Sequence, residues 1–280
     1  MRRIALAIVS VLAVAAAMST ETTPTKVPAA TTPSQDSHTV PAPPVTAAPS
    51  TVPIHPTRGS GPNGSHLSTG SHAVALTFDD GPDPVNTLRL LDVLSAAGVR
   101  ATFCVNGVKV QQHPEVVRRI HAEGHALCNH SWRHIRQLGT YGQPRIRRDL
   151  LDTNNAIRAV VPDAVISYFR APGGAWTDDY VKVAAELGMV SIHWDVDPSD
   201  WQSEVYGRGP AMVNHIIDVL RSEVRPGSIV LSHDHWKPDT TEAYRLLLPW
   251  LKEHFTLAAL PPGGLWFTQP GARNGWTGPY

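Results

Sequence analysis

From residue 72 onward, short apolar runs alternate with longer stretches in which apolar residues recur at helical spacing. The runs at 73–78, 101–105, 125–128, 165–169, 189–195, 228–231 and 255–260 predict strands. Between them, 87–97, 115–123 and 178–187 predict helices. Each is followed by a glycine (Gly98, Gly124, Gly188), the residue that most easily turns left-handed past a last helical turn. The stretches 146–160 and 212–224 carry the same helical period. Strands that alternate with helices pair in parallel, and about seven such repeats predict a barrel-like α/β fold, with an open doubly wound sheet as the alternative.

The pattern changes before residue 72. Arg2 and Arg3, an apolar run from Ile4 to about Ala17 and the small residues Ala15-Ala16-Ala17 read as an export signal over 1–18. The run is short of the roughly 20 residues a membrane span needs, so no stable membrane insertion is expected once the signal is cleaved; a retained anchor is the alternative. Residues 19–71 are rich in Pro, Thr, Ser and Ala and poor in large apolar side chains, which predicts a disordered spacer. The folded domain is expected over 72–262. A tail follows over 263–280, whose Trp266, Phe267, Trp276 and Tyr280 serve as packing or as a sugar-stacking strip. Location is thus expected to be extracellular, at the cell wall or in solution.

Composition narrows the partners. The 280 residues, 42% of them hydrophobic, suffice for one sizeable core. Lys plus Arg equal Asp plus Glu, 24 against 24, which argues against nucleic acid and favours an uncharged substrate. The two cysteines, Cys104 and Cys128, form no CxxC pair. If their runs are neighbouring strands, a spacing of about 4.8 Å suits a disulfide, which export permits; two buried thiols are the alternative.

The polar clusters gather where a barrel carries its chemistry, at the C-terminal ends of the strands. The first run ends in Asp79-Asp80, the third leads to His130, the fourth meets Arg170, the fifth leads to Asp197 and Asp200-Trp201, and the sixth to His233. His130 and His134 are four residues apart, a spacing that on a helix lets both imidazoles reach one cation. A carboxylate from Asp79-Asp80 would complete a three-ligand site with open positions, although Asp-Gly-Pro is also good turn chemistry. His233 becomes a general acid if a carboxylate, Asp200 or Asp197, orients it; otherwise it is a packed histidine. Arg170-Ala171-Pro172-Gly173-Gly174 joins a cation to a side-chain-free turn whose N–H groups can face an oxyanion.

Taken together, five segments resemble the motifs of the NodB-homology polysaccharide deacetylases, the family 4 carbohydrate esterases. They are Thr77-Phe78-Asp79-Asp80-Gly81-Pro82, His130-Ser131-Trp132-Arg133-His134, Arg170 to Gly174, Asp197-Pro198-Ser199-Asp200-Trp201 and Leu231-Ser232-His233. The resemblance implies a distorted (β/α) barrel. It makes Asp79 the catalytic base, steadied by Arg170, and His233 the catalytic acid, tuned by Asp200. It makes Asp80, His130 and His134 ligands of a divalent metal, zinc before cobalt or nickel. Gly173 would offer its N–H to the oxyanion, and Trp201 and Leu231 would wall the acetyl groove. Two departures stand out: several relatives carry an aromatic residue at the position of Gly173, and a glycine at that of Cys128. His235-Trp236 could restore a wall.

The expected activity is hydrolysis of N-acetyl groups on N-acetylglucosamine polymers, peptidoglycan or chitin-like, by a secreted monomer. An acetylxylan esterase and a non-catalytic carbohydrate-binding module are the competing readings. A metalloprotease is disfavoured because the glutamate of HExxH is missing.

Overall fold

A computed structural model describes residues 59–265. The signal over 1–18, the linker up to residue 58 and the aromatic tail from 266 lie outside the described residues.

Six parallel strands form one sheet in the order β5-β4-β3-β2-β1-β6: β1 (Ala75–Asp79), β2 (Thr102–Val105), β3 (Ala126–Asn129), β4 (Tyr168–Phe169), β5 (Val190–Ser191) and β6 (Ile229–His233). Among the described residues eight α-helices accompany them: α1 (Asn86–Ala97), α2 (Gly107–Gln112), α3 (Pro114–Ala122), α4 (Gln143–Val160), α5 (Asp178–Glu186), α6 (Ser203–Tyr206), α7 (Pro210–Glu223) and α8 (Pro238–His254). The sheet curls into a half-barrel because its two faces pack differently. Alternate residues such as Leu76, Phe78, Phe103, Val105, Leu127, Phe169 and Val230 join the core shared with the helices. The intervening Ala75, Cys104, Cys128, Tyr168, Val190 and Ile229 form a smaller interior cluster. Strand side chains alternate faces, so the residues that continue the interior rows at the C-terminal edge are Asp79, His130, Arg170 and His233.

The seventh predicted strand, 255–260, is reduced to a single bridge between Val74 and Leu257. β6 pairs with β1 from Ala75 and β2 from Thr77, and the segment bonds the backbone of Val74, ahead of both ladders. The segment continues under the sheet, where Leu260 N donates to Thr102 Oγ1 (3.0 Å) and Tyr168 Oη donates to Pro261 O (2.7 Å). Helix α8 was not expected. Its Pro249 reads as a helix breaker, while buried Ala243, Tyr244, Leu247, Leu248 and Leu251 carry the period that packs it onto the sheet.

The described part of the expected linker, 59–71, docks on the domain. His66 bridges Ile192 and Ser68 bridges Ser228. Hydrogen bonds rather than apolar burial hold it: Thr69 Oγ1 donates to Ala73 O (2.8 Å), and His66 N to Ser191 O (2.9 Å). A reading based on hydrophobicity does not detect such bonds.

Cys104 and Cys128 face each other in the β2–β3 register and are joined by a disulfide inside the half-barrel, with Cα atoms 4.2 Å apart. Closing a loop of sequence separation 24 restricts the unfolded chain by about 3 kcal/mol. The Cys104→Ala/Cys128→Ala protein is expected to lose at least about that much stability in urea unfolding, because both sulfurs are buried. Thiol titration of the denatured, unreduced wild type should find none; two free thiols would contradict the bridge.

Candidate active site

The parallel register delivers the site. Asp79 lies opposite His233 on β6, and Asn129 pairs with Phe169, so the next residues, His130 and Arg170, leave their strands side by side. His233 is thus the last residue of β6 rather than a residue beyond it.

Arg170 is fully buried, a cation the domain tolerates because acceptors meet both of its terminal nitrogens. Its Nη1 donates to Asp79 Oδ1 and Thr77 Oγ1, both at 2.8 Å, and its Nη2 donates to His193 O at 3.0 Å. Trp194 lies 5.7 Å from the guanidinium, across its ring face. One oxygen of Asp79 is thus held, and the other, Oδ2, faces His130 Nε2 at 3.5 Å.

Asp80 points elsewhere. Its backbone is left-handed (φ 77°), and Lys109 Nζ donates to its carbonyl at 2.6 Å. The turn separates two consecutive carboxylates so that only Asp80 Oδ1 faces both imidazoles, 3.5 Å from His130 Nε2 and 3.3 Å from His134 Nε2. The two histidines are not on a helix, as their spacing suggested. They are on the loop after β3, with left-handed Ser131 (φ 65°) and His134 (φ 55°) bending it back. His130 Nδ1 lies 2.9 Å from Arg170 O, so it carries the proton and Nε2 presents its lone pair.

The three residues fit a divalent cation. Their ligand atoms lie within 4.8 Å of one another, and Asp80 Oδ1 is buried with no hydrogen bond. Tetrahedral bonds of 2.0–2.1 Å place ligand atoms about 3.3–3.4 Å apart, close to the two Asp80–imidazole separations. Two imidazoles and one carboxylate are a zinc donor set that cobalt or nickel also accepts. Burial opposes charge on Asp80, but the neighbouring imidazoles, His130 foremost, more than offset it and hold its carboxyl well below the usual range. Burial likewise opposes charge on His130, and the carboxylates of Asp79 and Asp80 reverse the sign, so this pocket favours positive charge.

Asp200, not Asp197, partners His233. Asp200 Oδ1 lies 2.6 Å from His233 Nδ1, while Oδ2 accepts the His233 N–H (2.8 Å) and the Thr240 hydroxyl (2.7 Å). Asp197 instead accepts from Ser199 N (2.7 Å). Burial pulls the His233 imidazole down, but the Asp200 carboxylate more than offsets it and lifts the pKa to about 9.

Gly173 lies in the tight turn Pro172–Gly174 with φ 59°, and a Cβ there would meet Arg136 Nε at 2.7 Å. This chain has arginine over that position in place of an aromatic ring. Leu231 is buried one interior position below His233, and Trp201 is exposed. Thr240, Lys109 and Trp194 were missed from sequence. Their partners are 29 or more residues away for Thr240 and Lys109 and 24 for Trp194, and no spacing signals them.

A buried Asp–Arg pair, an Asp–His–His cluster and a His–Asp pair thus gather at one edge of a curled parallel sheet, an α/β half-barrel with the groups that acid–base hydrolysis needs. Residues 66–192 match the sequence profile described as polysaccharide deacetylase. The chain is 39% identical over 206 residues to a chitooligosaccharide deacetylase of Sinorhizobium fredii, covering 69% of this chain and 92% of that protein. It is 34% identical over 184 residues to a peptidoglycan-N-acetylglucosamine deacetylase of Bacillus cereus, covering 64% and 82%. A solved family 4 carbohydrate esterase pseudoenzyme from Bacillus anthracis superposes with a TM-score of 0.63 at 26% identity, covering 71% and 68%. The chain belongs to the polysaccharide deacetylase family, the family 4 carbohydrate esterases, and is a deacetylase.

Proposed function

We propose that the chain is an exported, monomeric, metal-dependent enzyme that removes N-acetyl groups from N-acetylglucosamine polymers, peptidoglycan or chitin-like. The reading rests on one observation: Asp79, the Asp80–His130–His134 cluster and His233 come together at one edge of the sheet. A divalent cation held by Asp80, His130 and His134 would supply a Lewis acid for the acetyl carbonyl and lower the pKa of a bound water. Arg170 holds Oδ1 of Asp79 and so orients the carboxylate, leaving Oδ2 to take the proton as water attacks. His233, with Nδ1 engaged by Asp200, keeps Nε2 for the departing nitrogen and delivers its proton there as the C–N bond breaks. Acetate and a free amine result. Gly173 N–H is assigned to the oxyanion, and Trp201 and Leu231 to the acetyl groove.

The signal-like start, the spacer and the disulfide all suit an oxidising compartment and a wall-bound polymer. Among the described residues no helix is long and apolar enough to cross a membrane. A non-catalytic role, as in a pseudoenzyme, would tolerate loss of the base, a ligand or the acid; this chain retains all five side chains.

Acetate release should be measured on chitin oligomers, peptidoglycan and acetylated xylan, before and after a chelator and with zinc, cobalt or nickel restored. The expected result is release from the glucosamine polymers, loss on chelation and recovery with metal. Release from xylan alone would select the esterase reading, and unchanged release after verified metal removal would sink the metal role.

A further inference from the structure

We propose that Trp236 is a stacking platform for a sugar ring next to the reacting one along the polymer chain, an extension that rests on the deacetylase reading. Among the described residues Trp236 is the most exposed large hydrophobic side chain, at 77%. Its backbone is left-handed (φ 55°), a conformation that disfavours a side chain with a Cβ. An indole in water on a strained backbone adds little to folding, and such strain collects at ligand clamps.

Its neighbours in the chain are all tied to the site. Asp234 N donates to Asp79 O (3.2 Å), and Asp234 Oδ2 accepts from Thr87 Oγ1 (2.5 Å). His235 Nδ1 lies 3.3 Å from Asp83 Oδ2, and Asp83 Oδ1 is gripped by the N–H groups of Val85 (2.8 Å) and Asn86 (2.7 Å) at the start of α1. Lys237 Nζ donates to Asp200 O (3.3 Å). The turn after β6 is therefore rigid, and only the Trp236 ring is left over.

That ring is braced from one side. The His235 imidazole stacks on it with centroids 4.8 Å apart and planes 18° from parallel. Such backing reduces the entropy lost when a ligand covers the other side. Trp236 is three residues from His233, so their Cα atoms are at most about 11 Å apart. A platform this near the proton donor can meet a neighbouring sugar of the chain whose acetamide is being cleaved. The apolar C–H face of a pyranose suits an indole, and its outward hydroxyls remain in water. The overall charge balance suits an uncharged ring.

The test compares wild type, Trp236→Ala and Trp236→Phe on N-acetylglucosamine and its oligomers up to six units. Stacking contacts of this kind correspond to up to about tenfold in affinity. For Trp236→Ala the KM on the hexamer should rise about fivefold to tenfold with kcat nearly constant, N-acetylglucosamine itself, which has no neighbouring ring, should be unaffected, and Trp236→Phe should recover most of the loss. Calorimetry with the glucosamine hexamer, which carries no acetyl group, reads binding without turnover and should show a similar loss in Trp236→Ala. Equal KM shifts at every length, or no shift with an unchanged Kd, would overturn the platform. If wild type releases no acetate from any oligomer yet binds the hexamer through Trp236, the platform stands and the deacetylase reading falls.

Discussion

Asp79→Asn should lower acetate release by about 10²–10⁴-fold, the range a general base contributes, while the protein retains wild-type metal content. The side chain differs by one heavy atom, and the cluster of Asp80, His130 and His134 does not depend on it for a ligand atom. Asp80→Asn should behave in the opposite order: metal is lost first and activity with it. Asp79→Asn has a second consequence, because Arg170 is fully buried and its Nη1 bond to Asp79 is its one contact with a negative charge. Removing one partner of a buried pair costs about 3–5 kcal/mol, here at the low end because Thr77 and His193 O remain as acceptors. Adding Arg170→Met to Asp79→Asn should regain part of that stability and none of the activity. Metal measured by emission spectrometry, urea unfolding and acetate assays separate these outcomes. Full activity in Asp79→Asn, or metal loss with full stability, would exchange the roles assigned to the two aspartates.

His233→Ala should depress N-deacetylation by about 10²–10⁴-fold and hydrolysis of an aryl acetate far less. An amine leaves only when protonated, whereas a phenolate leaves unaided. Equal losses on both substrates would remove His233 from the proton-donor role. The pH profile carries the same information. Without metal the His233 pKa is lifted to about 9, and a cation at Asp80 acts downward on it, so the rate should decline on the alkaline side, at or below about pH 9. Asp200→Asn removes the largest cause of the rise and leaves burial, which acts downward, against the weaker fields of Asp80 and Asp79, so the alkaline limb should move to lower pH. The sign for stability agrees. A histidine whose folded pKa exceeds its unfolded value of about 6.5 contributes fully below that pH, and the contribution is lost as pH climbs through about 9.

Much of the site was legible because its groups lie at strand ends, where the residue that closes or follows a buried run both faces the site and is fixed by the ladder. Asp79, Arg170 and His233 are of this kind. The choice of Asp200 over Asp197 was not legible: both acids are within reach in sequence, and only the fold of the loop after β5 turns Asp200 onto His233. Nor was the path of the histidine pair. Spacing of four suggested a helix, whereas left-handed Ser131 and His134 bring the rings together on a loop.

The sequence by itself determined the alternation of strands and helices, the placement of polar residues at strand ends and the family, because hydrophobic period and short motifs are local properties of the chain. Tertiary structure alone decided that the sheet has six strands with 255–260 passing beneath it, that α8 forms despite Pro249, that residues from 59 dock on the domain, and which carboxylate serves which imidazole. Those outcomes depend on which backbone and side-chain groups remain unpaired once distant segments meet, and a linear pattern does not contain that information.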